Sequence, residues 1–237
     1  MSLFPKNIVV IVPTARYIEP ACEEGLRRLE AKGYTVWRPV GNADIARSRS
    51  ILATSAIEKG FSGIMWIDSD MVFDDNDVDK LVETGCSIVG AICARRDSAG
   101  YNCVFFPDTD EVVFGVEGGL LKVKLLGTGF LYTSREAYSD IRNLLNLPCF
   151  GTPGAECFPY FLHEQADIYG TVMLLSEDYS FCIKADKAKH SVFAHTGIRV
   201  GHLGSYAYTW EDVVFQRKLN DTVHVKVTVD MRSTSPK

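Results

Sequence analysis

The sequence predicts an α/β fold: a mostly parallel sheet with helices on both sides, joined in the second half by a smaller antiparallel element. Three observations carry this. Residues 7–13 (NIVVIVP), 63–67 (GIMWI) and 86–94 are short, nearly unbroken apolar runs of the kind found in strands covered on both faces. The segments between them have apolar residues at helical spacing, and the links are short, which is the alternation of a βαβ array.

Taken in order, the first strand ends at the turn Pro13-Thr14. A helix opens at Glu19-Pro20, where proline suits the first turn, and stops before Gly33. Residues 34–40 form a second strand, and Trp37-Arg38-Pro39 places it early-ending or near a sheet edge. Residues 44–59 form a second helix with Ile45, Leu52, Ala53, Ala56 and Ile57 on one side and Gly60 as terminator. Strand 63–67 follows, then a helix over 74–84 with acidic residues in its first turn, where the helix dipole favours them, and strand 86–94.

Beyond Arg95 the rhythm changes. Residues 101–106, 112–116 and 120–126 are short strands separated by turns such as Gly118-Gly119, an antiparallel pattern. A strand at 130–133 and a helix at 135–145 follow, and residues 148–170, with Pro148, Pro153 and Pro159, form a long ordered loop. A helix over 176–190 has Ser176 at its N-cap; a strand at 191–194, the run 198–204, a helix at 210–218 and a strand at 223–229 complete the chain. A single domain over 1–237 accommodates all of this, with a nucleotide-binding half at 1–95, a catalytic and acceptor half at 96–210 and an extension at 211–237.

Composition narrows the classes of function. With 46% apolar and 23% charged residues in 237, the chain has the make-up of a packed globular domain. No apolar run is long enough to span a bilayer and no leader pattern is present, which predicts a cytoplasmic protein. The seven cysteines contain no C-x-x-C pair and are expected to be reduced. A net charge of −5 with dispersed Lys and Arg argues against a nucleic-acid partner, whereas a diphosphate needs only one or two cations and a few backbone donors.

The chemistry centres on Asp68-Ser69-Asp70, where a buried strand runs into two carboxylates at its C-terminal end, the edge at which open α/β sheets bind ligands. If the chain stays extended through Ser69, alternation points both carboxylates to one side, where they share a divalent cation. On the second helix, Arg49 falls on the inward face and Arg47 on the opposite one. An inward cation needs a partner: a donor phosphate, a nucleobase or an Asp carboxylate, or else a purely internal ion pair. Glu177-Asp178 is either a proton acceptor or an ordinary acidic first turn. His202, between Gly201 and Leu203-Gly204, is either a ligand for Mn²⁺ or a structural histidine. Gly127-Thr128-Gly129 either admits substrate to the backbone or makes a tight strand entrance, and Tyr206, Tyr208 and Trp210 either stack on a sugar or fill a groove.

The order of Val12-Pro13-Thr14, Ala46-Arg47-Ser48-Arg49, Asp68-Ser69-Asp70, Gly127-Thr128-Gly129-Phe130, Glu177-Asp178 and Gly201-His202 resembles the GT-A, nucleotide-sugar-dependent glycosyltransferases. The similarity spans roughly residues 7–208. It implies a Rossmann-like GT-A fold and a soluble, metal-dependent transferase moving a sugar from a nucleotide-diphosphate donor to a glycan or small-molecule hydroxyl. In that scheme Mn²⁺ or Mg²⁺ is held by Asp70 with Asp68 and His202, and Pro13, Thr14, Arg16, Arg49 and Asp68 contact the donor. Asp178 is the base of an inverting reaction with Glu177 beside it, and Gly129 and Tyr206 face the acceptor.

Other classes compete. Asp68-Ser69-Asp70-Met71-Val72 also matches the D-x-D-x-[TV] signature of haloacid-dehalogenase-like phosphatases, which place it after their first strand with a late acidic motif; this chain does neither. Nucleotidyltransferases carry a glycine-rich loop after the first strand, and Pro13-Thr14-Ala15-Arg16 has no glycine. A non-catalytic nucleotide-sugar-binding module is the remaining alternative.

Overall fold

The computed structural model describes residues 7–41, 44–96, 100–152, 156–204, 206–213 and 221–227. The first half contains β1 (Ile8–Ile11), α1 (Pro20–Ala31), β2 (Thr35–Trp37), α2 (Ile45–Glu58), β3 (Gly63–Ile67), β4 (Met71–Val72), α3 (Asn76–Glu83) and β5 (Ile88–Gly90). The second contains β6 (Cys103–Val104), β7 (Glu111–Gly115), β8 (Leu120–Val123), β9 (Leu125–Leu126), β10 (Phe130–Ser134) and α4 (Arg135–Leu144), then β11 (Gln165–Ile168), β12 (Thr171–Leu174) and α5 (Glu177–Lys187). It closes with β13 (Val192–His195), β14 (Gly201–Leu203), β15 (Ala207–Tyr208), α6 (Trp210–Val213) and β16 (Thr222–Lys226).

The main sheet has seven strands in the order β2-β1-β3-β10-β5-β13-β8. β2, β1, β3, β5 and β13 run one way, whereas β10 and β8 run the other. The class is the expected mixed α/β one, and β2 takes the edge that its proline-terminated sequence favours. Period-two alternation splits the strand side chains between two cores. Ile8, Val10, Met65 and Phe130 pack under α1 and α3 through Leu26, Leu29, Val78 and Leu81. Val9, Ile11, Trp66 and Leu131 pack on the other side against Ala53 of α2, Tyr138 of α4 and Phe181 of α5. Trp66 Nε1 donates to the Tyr138 hydroxyl at 2.9 Å, which lies 2.9 Å from Thr133 Oγ1, so the polar atoms of this buried face satisfy one another.

Local chemistry sets the helix ends. Pro20 opens α1, the Asp44 carboxylate accepts from the Arg47 amide at 3.1 Å to cap α2, and Gly33 and Gly60 follow the two helices at positive φ. At Gly90, the last residue of β5, a Cβ would lie 2.5 Å from the Phe130 carbonyl oxygen of the adjacent β10. Gly90→Ala is therefore expected to lose about 1–3 kcal/mol of stability, read as a shift in the urea midpoint.

The second half departs from its sequence-based reading in several places. Residues 112–116 and 120–126 do not pair with each other: β7 pairs with β16, β8 joins the main sheet beside β13, and β9 pairs with β6. Gly118-Gly119 thus separates strands of different sheets, a long-range pairing that no local turn signal encodes. The segment expected as one long loop, 148–170, ends in the first strand and the tip of a hairpin, β11–β12, with Tyr169 and Gly170 at positive φ in the tip. The helix expected over 210–218 runs from Trp210 to Val213, and residues 214–220 lie outside the described ones, as do 228 and 229 of the final strand. Strands of both halves interleave, since β10, β13 and β8 complete the sheet begun by β1, β2, β3 and β5. No helix among the described residues is long and apolar enough to cross a membrane.

Candidate active site

The C-terminal end of β3 delivers Asp68. There the strand stops: Ser69 and Asp70 form a turn, with the Met71 amide donating to the Asp68 carbonyl at 3.2 Å. The extended conformation that would point both carboxylates one way does not persist, and each has its own partners. Asp68 Oδ1 accepts from Arg49 Nη2 at 2.7 Å. Asp70 Oδ2 lies 3.4 Å from His202 Nε2 and 3.1 Å from Arg96 Nη1. Burial works against the Asp70 charge, but His202 and Arg96 outweigh it and hold the carboxyl below its ordinary range.

Arg49 reaches this cleft because it faces inward on α2, as helical geometry requires. It is 3% exposed, its Nε lies 3.5 Å from Glu177 Oε1, and it stands 5.6 Å from the Trp66 ring. Its Nε and Nη1 make no hydrogen bond among the described residues. One guanidinium thus serves Asp68 and the start of α5, and its buried position makes it a strut between carboxylates more than a surface on which a donor rests.

α5 begins at the cleft and carries Glu177 and Asp178. The Ser176 side chain makes no capping bond; its hydroxyl donates to Asp178 Oδ1, which also accepts from the Tyr179 amide at 2.8 Å. Burial raises the Asp178 pKa above the usual carboxylate range despite those donors, and burial together with the Asp178 charge raises Glu177. Asp178 lines a cavity of about 360 Å³ whose walls include Tyr101, Asn102, Met173, Leu174 and Tyr179.

β14 pairs with β4 and so brings His202 over the Asp70 turn. His202 Nδ1 lies 3.2 Å from the Ala94 carbonyl, an arrangement in which Nδ1–H donates and Nε2 faces Asp70. Burial disfavours the His202 cation, but the Asp70 carboxylate raises its pKa nonetheless. A carboxylate oxygen and an imidazole nitrogen thus lie 3.4 Å apart, a pair of donors that would suit Mn²⁺ better than Mg²⁺. Among the described residues no three ligating side chains cluster tightly enough to enclose an ion, and Asp68 is turned toward Arg49. A divalent ion at this point would be held by Asp70 and His202 and would take the place of the Arg96 contact to Asp70 Oδ2.

The other expected residues fall less evenly. Pro13 and Thr14 are buried at the end of β1, and the Thr14 hydroxyl donates inward to the Val12 carbonyl at 2.9 Å, so its proton is not offered to a ligand. Arg16 is exposed on the loop after them. Gly129 adjoins Asp68: a Cβ there would lie 3.3 Å from Asp68 Oδ2, so the glycine leaves room for that carboxylate. Tyr206 is 51% exposed, its ring lies 4.1 Å from that of Tyr208 at a tilt of 32°, and its hydroxyl donates to Asp212 Oδ1 at 2.7 Å; it does not line the cavity beside Asp178. Cys22 donates its thiol proton to the Asp68 carbonyl at 3.5 Å, and burial pushes its pKa up to about 12, which leaves it a neutral floor to the cleft.

Arg96 and Asn102 were not singled out from the sequence, and Ser176 was read there only as an N-cap. Arg95-Arg96 at the end of the fourth apolar run was the available signal, since two cations at a C-terminal sheet edge face the same ligands as Asp70. Asn102 had none; its side-chain oxygen accepts from the Cys93 amide at 2.7 Å across the cleft wall.

No protein-family model matches the chain, and no curated protein matches it. Among solved structures the chain is similar to A197 from STIV, at 17% identity and a TM-score of 0.55 over 84% of this chain and 86% of that one. Weaker likenesses include UDP-glucose pyrophosphorylase complexed with UDP-glucose (TM-score 0.40, 9% identity, 86% and 93% covered) and S. aureus TarS 1-349 (TM-score 0.37, 14% identity, 80% and 58% covered). At such identities the likeness to A197 is one of fold.

Proposed function

We propose that the chain is a GT-A-type glycosyltransferase that moves a sugar from a nucleotide-diphosphate donor to an acceptor hydroxyl with a divalent metal. The observation that supports this best is the meeting of Asp68, Asp70, Arg49, Glu177, Asp178 and His202 at one edge of the sheet, from four different segments of the chain. An acidic turn with no role in chemistry would not gather a buried arginine, a half-buried base and an oriented histidine.

In this reading Asp70 and His202 hold Mn²⁺ or Mg²⁺, which when bound neutralises charge on the departing diphosphate. Asp68, fixed by Arg49, faces the donor. Asp178 takes the proton from the acceptor hydroxyl as that oxygen forms its bond to the anomeric carbon, in a single inverting displacement. The cavity beside Asp178 receives the acceptor, and the Ser176 hydroxyl and Tyr179 amide keep one carboxylate oxygen engaged so that the other is presented. The raised Asp178 pKa makes it a stronger base than an exposed aspartate once ionised.

The experiment is a screen of nucleotide sugars with Mn²⁺ and Mg²⁺, measuring donor turnover and binding, repeated with chelator. Turnover or binding of one donor class, lost with chelator and restored by metal, is expected. Folded protein that shows no metal-dependent signal with any donor sinks the proposal. Product anomeric configuration, read by NMR, tests inversion.

A further inference from the structure

Asn102 shares with Asp178 the cavity of about 360 Å³ at the start of α5. Its side chain is held in one orientation. Asn102 Oδ1 accepts from the Cys93 amide at 2.7 Å. The backbone of Asn102 is fixed as well, its amide donating to the Cys93 carbonyl at 3.0 Å and its carbonyl accepting from the Gly127 amide at 2.8 Å. A backbone N–H can only donate, so the side-chain atom facing Cys93 must be the oxygen, and the NH₂ group is the other end. That group donates to nothing among the described residues, on a half-buried side chain that lines the cavity.

Gly127 makes room for this amide. A Cβ at Gly127 would lie 2.5 Å from Asn102 Nδ2 and 3.1 Å from both Cβ and Cγ of Asn102. Gly127 is not among the glycines at positive φ, so the close approach of Asn102, and not the backbone, is what calls for glycine here. Other polar groups of the cavity are engaged or lie at its surface. The Ser176 hydroxyl donates to Asp178 Oδ1, the Tyr101 hydroxyl is turned to the Trp210 carbonyl at 3.5 Å, and Arg95 is exposed. Met173, Leu174, Leu175 and the rings of Tyr101 and Tyr179 supply largely apolar surface.

Building on the sugar-transfer reading, on which this rests, we propose that Asn102 sets acceptor specificity: its NH₂ group donates to a second oxygen of a pyranose acceptor whose reacting hydroxyl donates to Asp178. A cavity of this volume is roughly 9 Å across if round, so groups bound to Asn102 and to Asp178 belong to one small ring and its substituents. A fixed donor and a fixed acceptor flanked by apolar and aromatic surface match a pyranose, whose hydroxyls both accept and donate and whose C–H face is apolar. A monohydric alcohol carries the reacting hydroxyl but nothing to accept from Asn102, and so leaves a desolvated NH₂ group unpaired. Asn102 transfers no proton; it orients the ring.

The test is titration of the full chain, with Mg²⁺ present, with the methyl pyranosides of glucose, galactose, mannose and N-acetylglucosamine, the monodeoxy analogues of the tightest of them, and cyclohexanol. Affinity is read by calorimetry, and the Asn102 side-chain NH₂ resonance by heteronuclear NMR. Saturable pyranoside binding that shifts this resonance is expected, with cyclohexanol weaker, and removal of one hydroxyl should weaken binding about three- to tenfold. Asn102→Asp keeps an oxygen for the Cys93 amide and removes the donor. It should weaken the pyranoside by at least that factor and erase the difference between it and the sensitive deoxy analogue, as direct coupling requires. Gly127→Ala, which displaces the amide without replacing it, should reduce the same difference, and circular dichroism checks that both variants are folded. No saturable pyranoside binding to folded protein, cyclohexanol bound as tightly, or a deoxy penalty that persists in Asn102→Asp overturns the proposal. Metal-dependent donor turnover with an indifferent Asn102 overturns this proposal alone. Pyranoside binding that depends on Asn102, in protein with no donor signal, overturns sugar transfer and upholds Asn102 as the sugar contact.

Discussion

Asp178→Asn is expected to lower kcat by about 10²–10⁴, the range that a positioned general base supplies, while donor and metal affinities stay within about twofold. Asparagine keeps an oxygen that can accept from Ser176 and the Tyr179 amide, so the cleft is preserved and only the proton acceptor is lost. In the unaltered protein, activity should rise with pH through an apparent pKa above the ordinary carboxylate range, because burial raises Asp178 and only its ionised form is a base. Stability should move the other way. A carboxyl whose pKa is raised on folding binds its proton more tightly in the native state, so its stabilising contribution is full at acid pH and is lost as pH rises through the raised value. Asp178→Asn removes that loss, and its Tm at neutral pH should exceed that of the parent. A variant that is both inactive and more stable identifies a residue retained for chemistry at a cost to the fold. Retained activity with unchanged pH dependence would rule out Asp178 as the base.

Asp70→Asn is expected to weaken the metal-dependent part of donor binding by about a hundredfold or more, since loss of partners that merely orient a ligand already costs 10–100-fold. The measurement is donor affinity as a function of Mn²⁺ concentration. The contrast with Asp68→Asn is informative. Asp68 is engaged with Arg49, so its replacement frees a buried guanidinium as well as removing a donor contact, and it should reduce thermal stability alongside affinity. Asp70 is held by the exposed Arg96 and by His202, and its replacement should affect metal response with little change in stability. If Asp70→Asn leaves Mn²⁺ dependence intact, the ion is held elsewhere.

The opposite faces of α2 illustrate how far local geometry reaches. Helical angle alone puts Arg49 among buried residues and Arg47 outside, and the fold obeys it because an amphipathic helix has only one way to lie on a sheet. The identity of the partners of Arg49 was not available in that way. Asp68 is 19 residues away and Glu177 is 128 residues away, joined to it only by the packing of α2 and α5. The spacing argument for Asp68 and Asp70 failed for a related reason: a two-residue alternation holds only while the strand has a neighbour to keep it extended, and the chain loses that support after Asp68, whose amide still donates to the Gly129 carbonyl at 2.9 Å.

The sequence by itself determined the α/β class, the buried strands, the helix limits and the position of the acidic pair at a sheet edge. These follow from periodicity, capping and glycine placement, which act over a few residues and are written where they act. Only the tertiary structure decided that β10 enters the sheet antiparallel, that β14 lays His202 over Asp70, and that Arg49 braces two carboxylates. Each depends on contacts between segments far apart in the chain, whose free energy comes from burial and hydrogen bonding in the assembled fold and leaves no local pattern to read.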